Sequence, residues 1–63
     1  MDRTTQYLIV KIDEELKNIS GDMLLGKTKD FESYKYAVGI ARGLMTVKGM
    51  LQEMHEQLEK EDE

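Results

Sequence analysis

Apolar residues near the start of the chain recur at the spacing of an amphipathic helix. Separations of three, four and three residues place them on one stripe, which predicts helix 1 over about residues 4–19. Gly21 stands where a left-handed C-terminal cap would follow. The rival interpretation, a buried strand over residues 7–12, lacks a second strand with which to pair. The stripe consists of Ile9, Ile12, Leu16 and Ile19.

A second and longer apolar stripe begins after a connector at residues 20–29. Its residues are separated by three or four positions throughout, which predicts an uninterrupted helix 2 over about residues 30–58, roughly 40 Å long. Thr28 and Asp30 are both candidate N-caps for this helix. The stripe consists of Tyr36, Ile40, Leu44, Val47, Leu51, Met54 and Leu58.

The two halves of helix 2 differ in how much of their circumference is apolar. A second apolar row over residues 34–45 predicts that the first half is covered on more than one side. After Lys48 only the narrow stripe remains, as in a two-helix seam, and the acidic residues 59–63 are expected to form a frayed tail. Together these features predict an all-α helical hairpin, one domain over residues 1–63, with helix 1 folded back on helix 2.

Composition adds the expectation of a partner. A chain of 63 residues buries only about 60% of the surface that its unfolded form exposes, and without cysteine it has no disulfide to compensate. We therefore expect the hairpin to form a homo-oligomer or to dock on a larger protein. The longest early apolar run, residues 8–10, is too short for a membrane span, so no membrane association is expected.

The net charge of −4 conceals an alternating pattern. Residues 1–26 carry −2 (three basic, five acidic), residues 27–48 carry +3 (five basic, two acidic), and residues 49–63 carry −5 (one basic, six acidic). The basic middle is expected to pair with the acidic C-terminal segment of a neighbouring chain, and an acidic protein is not expected to bind duplex DNA. The basic residues are Lys27, Lys29, Lys35, Arg42 and Lys48.

Two motifs suggest chemistry that their surroundings do not support. The segment from Gly21 to Thr28 matches the phosphate-loop pattern G-x-x-x-x-G-K-T, but a helical pattern precedes it where a strand is needed. His55 begins a sequence one residue short of the zinc motif H-E-x-x-H, with Glu59 in place of the second histidine. Since no serine, threonine or lysine has a credible base, we expect no enzymatic activity, no metal and no cofactor.

Two glycines lie one turn apart in the middle of helix 2. Gly39 and Gly43 each cost the helix about 1 kcal/mol relative to alanine. A small-residue ridge would allow another backbone to approach closely, either helix 1 or a second subunit. The alternative is that they mark only a bend or a tolerated weak position. Methionines at positions 45, 50 and 54 suit gap filling or an adaptable docking surface.

Residues 30–51 resemble a pattern found in small proteins of tailed bacteriophages, D-x-x-x-Y-x-x-x-x-G-x-x-x-G-L followed by an amphipathic, charged tail. The resemblance implies a compact helical accessory encoded beside head and portal genes, with a role in the virion or its assembly. The matching residues are Asp30, Tyr34, Gly39, Gly43 and Leu44.

The function expected from these features is protein–protein interaction, as a head, portal or neck accessory located in the virion or the host cytoplasm. One alternative is a phage-encoded inhibitor of a host enzyme or defence complex, with the acidic segment 53–63 as an electrostatic lure. Another is a dimeric RNA-binding hairpin that resembles the plasmid copy-control protein Rop in size and layout. The predicted interaction residues are Tyr36, Gly39, Ile40, Gly43, Leu44, Val47, Leu51, Met54 and Leu58.

Overall fold

The computed structural model describes residues 2–61 of the chain, and these residues form two helices joined by a short connector. Helix α1 spans Arg3–Leu24 and helix α2 spans Phe31–Glu61. They lie side by side as an elongated hairpin with dimensions of 50 × 17 × 13 Å. Residues 2–61 contain no strand, so the predicted all-α helical hairpin is confirmed and the strand interpretation of residues 7–12 is wrong.

Each helix begins with an aspartate that caps it. The carboxylate Oδ1 of Asp2 accepts a hydrogen bond from the Thr5 backbone N–H at 2.7 Å, and Asp30 Oδ1 accepts one from the Ser33 N–H at 2.7 Å. These bonds satisfy backbone donors that have no partner inside the helix. Of the two candidate caps for the second helix, Asp30 is therefore the one used.

Helix α1 ends five residues later than its stripe suggested. Gly21 lies inside the helix, where its carbonyl accepts from the Leu25 N–H at 3.0 Å. The left-handed residue is instead Gly26, with φ of 75°. The helix continues because Met23 adds another half-buried apolar position four residues after Ile19. Prediction of a stop at Gly21 was wrong because glycine is tolerated inside a helix whose packing continues beyond it.

The two helices meet along a regular pair of stripes, which we call the seam. On both helices a row of less exposed positions is separated by four, three, four, three and four residues, the spacing of a coiled coil; Gly21 and Val38 are also half-buried and lie outside this row. The connector is short enough to make the helices antiparallel neighbours. On α1 the seam contains Thr5, Ile9, Ile12, Leu16, Ile19 and Met23. On α2 it contains Ala37, Ala41, Leu44, Lys48, Leu51 and His55.

The hairpin has a shallow core. Within residues 2–60 no apolar side chain is buried, and Thr5 is the one buried residue. Helix α1 covers one side of the first half of α2, and cover on a further side by another molecule stays a prediction. Helix α2 also continues to Glu61, beyond the expected end at residue 58. The rest of the acidic tail prediction, Asp62 and Glu63, lies outside the described residues.

Candidate functional site

The predicted interaction residues divide into two groups in the structure. Leu44 and Leu51 are half-buried in the seam against α1. The other seven are exposed, so they are the ones available to a partner. The exposed residues are Tyr36, Gly39, Ile40, Gly43, Val47, Met54 and Leu58.

Most of the exposed group lies on a second stripe of α2 that the seam does not use. We call this stripe the α2 face. Each of its first six positions precedes a seam position by one residue, as Val47 precedes Lys48. One residue turns the helix by about 100°, so the α2 face is rotated about a quarter turn from the seam. The α2 face consists of Tyr36, Ile40, Gly43, Val47, Met50, Met54 and Leu58.

The α2 face is apolar and open along its length. Its side chains range from 41% exposed at Ile40 to 73% exposed at Tyr36. Twenty-two residue steps separate Tyr36 from Leu58, which corresponds to about 33 Å of helix. Met50, at 60% exposure, also lies on this face; the sequence placed it among the methionines that suit a docking surface but not among the predicted interaction residues. The position of Met50 on the α2 face is indicated by the sequence, since the residues of this face are separated by three or four positions in a second heptad series, offset by one residue from the seam.

The glycines of α2 are not explained by packing against α1. A Cβ atom added at Gly39, Gly43 or Gly49 would meet nothing within 4 Å. Of the small-residue ridge, the two glycines therefore do not pack against helix 1, and for them that part of the prediction is wrong. Packing against a second subunit stays a prediction. In the hairpin by itself, each glycine weakens the helix by about 1 kcal/mol relative to alanine without a compensating contact.

Two basic residues of the middle segment are paired within the chain. Lys48 Nζ lies 2.7 Å from Asp13 Oδ1 on the other helix, and Lys27 Nζ lies 3.5 Å from Asp22 Oδ1. These contacts lie within one chain, so the expected pairing of the basic residues with the acidic segment of a neighbouring chain stays a prediction. Arg42 forms no ion pair with any residue in the part of the chain that the structure describes.

The phosphate-loop string does not adopt a phosphate-binding geometry. Its first four residues are the last turn of α1, and α2 begins only at Phe31, after the Lys-Thr pair that should open a helix. The Lys27 N–H donates to the Asp22 carbonyl at 2.9 Å, so it closes the turn instead of facing an anion. A functional loop of this type needs a preceding strand and free backbone N–H groups.

The histidine motif is a local pair. His55 Nε2 lies 3.0 Å from Glu59 Oε1, one helical turn away. Within residues 2–61 no group of three histidine, cysteine, aspartate or glutamate side chains is placed to hold a metal ion. Neither helix within residues 2–61 is both long and apolar enough to cross a membrane.

Comparison with known proteins gives no family assignment. The chain matches no protein-family model, and no curated protein or solved structure is significantly similar to it. The surface that the two helices present therefore carries the evidence about function. The most extensive chemical feature of that surface is the α2 face.

Proposed function

We propose that this protein acts by binding another protein through the α2 face, as a small component of a phage virion or of its assembly. A head, portal or neck accessory is the class of component that fits a chain of this size. The observation that supports the proposal is an apolar stripe about 33 Å long that α1 leaves uncovered.

An exposed stripe of this kind is unusual for a protein that works alone. Contiguous apolar patches on soluble monomers rarely exceed a few hundred Å², and larger ones mark interaction sites. The hairpin also lacks a buried apolar side chain within residues 2–60. Covering the α2 face removes apolar surface from water at about 25 cal/mol per Å². Association therefore supplies burial that the hairpin itself does not achieve.

The phage context of the proposal is supported by the resemblance of residues 30–51. The structure gives a role to several of the matching residues. Asp30 caps α2 through the Ser33 N–H, and Leu44 packs in the seam. Gly43 lies on the α2 face. The pattern thus combines residues that build the hairpin with a residue on its open surface.

Mass spectrometry of purified virions tests this function. The phage that encodes the protein is grown with the natural chain, with Val47→Asp on the α2 face, or with Met45→Asp as the matched control. Both positions are exposed residues of α2, but Met45 lies on the opposite side of the helix. We expect the natural chain and the control at a fixed copy number, and strongly reduced incorporation of Val47→Asp.

Two results would contradict the proposal. One is absence of the natural chain from virions and from assembly intermediates. The other is recovery of one stoichiometric host protein from infected cells, with no virion protein, which would favour inhibition of a host enzyme or defence complex instead. Equal incorporation of both variants would show that the α2 face is not the contact.

A further inference from the structure

We propose that the α2 face is covered by the α2 face of a second copy of this chain, with the two α2 helices antiparallel. The resulting dimer is a four-helix assembly with a twofold axis near the middle of α2. This inference rests on the proposed function, because it names the partner of the same surface. Three properties of the chain support a second copy as the occupant.

The first property is the solvent-accessible surface area of the isolated hairpin. The chain exposes 5337 Å², whereas a compact monomer of 7.3 kDa exposes about 4,200 Å² by the usual scaling of surface with mass. The excess is about 1,100 Å². A standard interface buries about 800 Å² on each partner. The surplus surface is therefore sufficient for one specific interface per chain.

The second property is the symmetry of the α2 face itself. Its first six positions are separated by four, three, four, three and four residues, a series that reads the same in both directions. An antiparallel copy centred near residue 45 therefore places an apolar residue or glycine opposite each of these six positions, while Leu58 lies opposite Glu32. Tyr36 then faces Met54 of the second copy. Antiparallel coiled coils pair their core positions in this manner.

The same alignment gives a structural role to Gly43, which has none in the single hairpin. Gly43 lies opposite Val47 of the second copy, so a residue without a side chain faces a branched one. Small residues opposite large ones let two helices interdigitate closely. A Cβ at Gly43 meets nothing within 4 Å in the single chain. The close approach is therefore available to another molecule.

The third property is the charge of the two halves of α2. Residues 31–48 carry a net +2, from three basic residues and one acidic residue. Residues 49–61 carry a net −3, from one basic residue and four acidic residues. An antiparallel pair places the basic half of each helix beside the acidic half of the other, twice. A parallel pair would place the two acidic halves together, which is repulsive.

Sedimentation equilibrium of the full chain tests the occupant. We expect a dimer at micromolar concentration for the natural chain and for Met45→Asp. In Val47→Asp the dimer would bury two unpaired carboxylates, so we expect its dissociation constant to rise at least about 100-fold. Circular dichroism at high concentration checks that both variants remain helical. A natural chain that is monomeric at 100 µM concentration would overturn the inference.

A distance between spin labels tests the orientation. The chain has no cysteine, so Lys60→Cys provides one label site per copy, at an exposed position. With a twofold axis near residue 45, the two labels are about 45 Å apart along α2. A parallel arrangement would bring them within about 20 Å. A short distance would therefore overturn the antiparallel alignment.

Failure of this inference is distinguishable from failure of the proposed function. A monomeric chain that still enters virions through Val47 would contradict self-association and leave the interaction function intact. A dimer that never enters a virion or assembly intermediate would give the opposite result. The two experiments use the same pair of variants, so their outcomes are directly comparable.

Discussion

Lys48 Nζ lies 2.7 Å from Asp13 Oδ1, and this contact links the middle of α2 to the middle of α1 across 35 residues of sequence. Lys48 occupies a seam position between Leu44 and Leu51. Its aliphatic stem therefore covers apolar surface while its ammonium group reaches the edge of the seam. The contact requires these two positions to lie side by side, so it is made in only one alignment of the helices.

The Lys48–Asp13 pair leads to a first prediction. In a double-mutant cycle with Asp13→Ala and Lys48→Ala, we expect a coupling free energy of about 0.2–1 kcal/mol, because both side chains are partly exposed to solvent. The coupling should decrease in 1 M salt, where screening is strong. The measurement is chemical unfolding of the four proteins. As a control, Lys17 should show no coupling to Lys48. Salt-independent coupling would contradict an electrostatic pair.

The glycines of α2 lead to a second prediction. Gly49→Ala should raise the free energy of unfolding by about 1 kcal/mol, because the added methyl group meets open space in a helix interior. Gly43→Leu should instead weaken the dimer, while Gly49→Leu should leave its dissociation constant unchanged. Gly49 lies off the α2 face and serves as the matched control. Thermal unfolding and sedimentation equilibrium measure the two effects. Equal dissociation constants for the two leucine variants would be inconsistent with a close approach at Gly43.

The two capping aspartates predict how stability changes in acid. The Ser33 backbone hydrogen bond lowers the pKa of Asp30 below its usual value of 3.8, and the Thr5 backbone hydrogen bond lowers the pKa of Asp2 likewise. A carboxyl group whose pKa is lower in the folded state than in the unfolded state stabilises the fold fully at pH values above its unfolded-state pKa. This stabilisation is lost as the pH falls through its folded-state pKa. We therefore expect the melting temperature to decline below about pH 4.

The control for the acid effect is asparagine at both caps. Asparagine accepts the same backbone hydrogen bonds but does not titrate. The melting temperature of the double variant Asp2→Asn/Asp30→Asn should fall less than that of the natural chain between pH 5 and pH 2. Thermal unfolding followed by circular dichroism over this range measures the difference. An identical decline in both proteins would assign the acid sensitivity to other carboxylates.

The closed turn at residues 21–28 predicts no response to nucleotide. Isothermal titration with ATP and Mg²⁺ should give no saturable heat, because Lys27 pairs with Asp22 and its N–H is used within the turn. Lys27→Ala should give the same titration curve as the natural chain. A saturable signal that Lys27→Ala abolished would show that the segment rearranges around phosphate.

Much of the fold was predictable because the helices are strongly periodic. The stripe from Ile9 to Ile19 and the capping position of Asp30 both came directly from residue type and spacing. The end of α1 was not predictable from Gly21. Glycine permits a left-handed cap without requiring one, and the packing of Met23 decided that the helix continues.

The candidate site was predictable only in part. The hydrophobic pattern of α2 does not separate the seam from the α2 face, because Ile40 and Leu44 are equally apolar and lie one turn apart. Only Leu44 is in the seam, whereas Ile40 remains 41% exposed. For the same reason the predicted interaction residues included Leu51 of the seam and left out the neighbouring Met50.

By itself, the sequence determined two amphipathic helices and their antiparallel hairpin, because these depend on residue spacing, and it named Asp30 as one of two candidate caps of α2. The Asp2 cap of α1 emerged only in the structure. The tertiary structure decided which stripe of α2 meets α1. Adjacent stripes differ by about 100°, and hydrophobicity favours the one that stays exposed, since the seam includes Lys48 and His55. In the seam, the aliphatic stem of Lys48 packs against α1 and its ammonium group contacts Asp13 on that helix. This contact forms only when the two helices are paired, so the sequence of α2 alone does not reveal it.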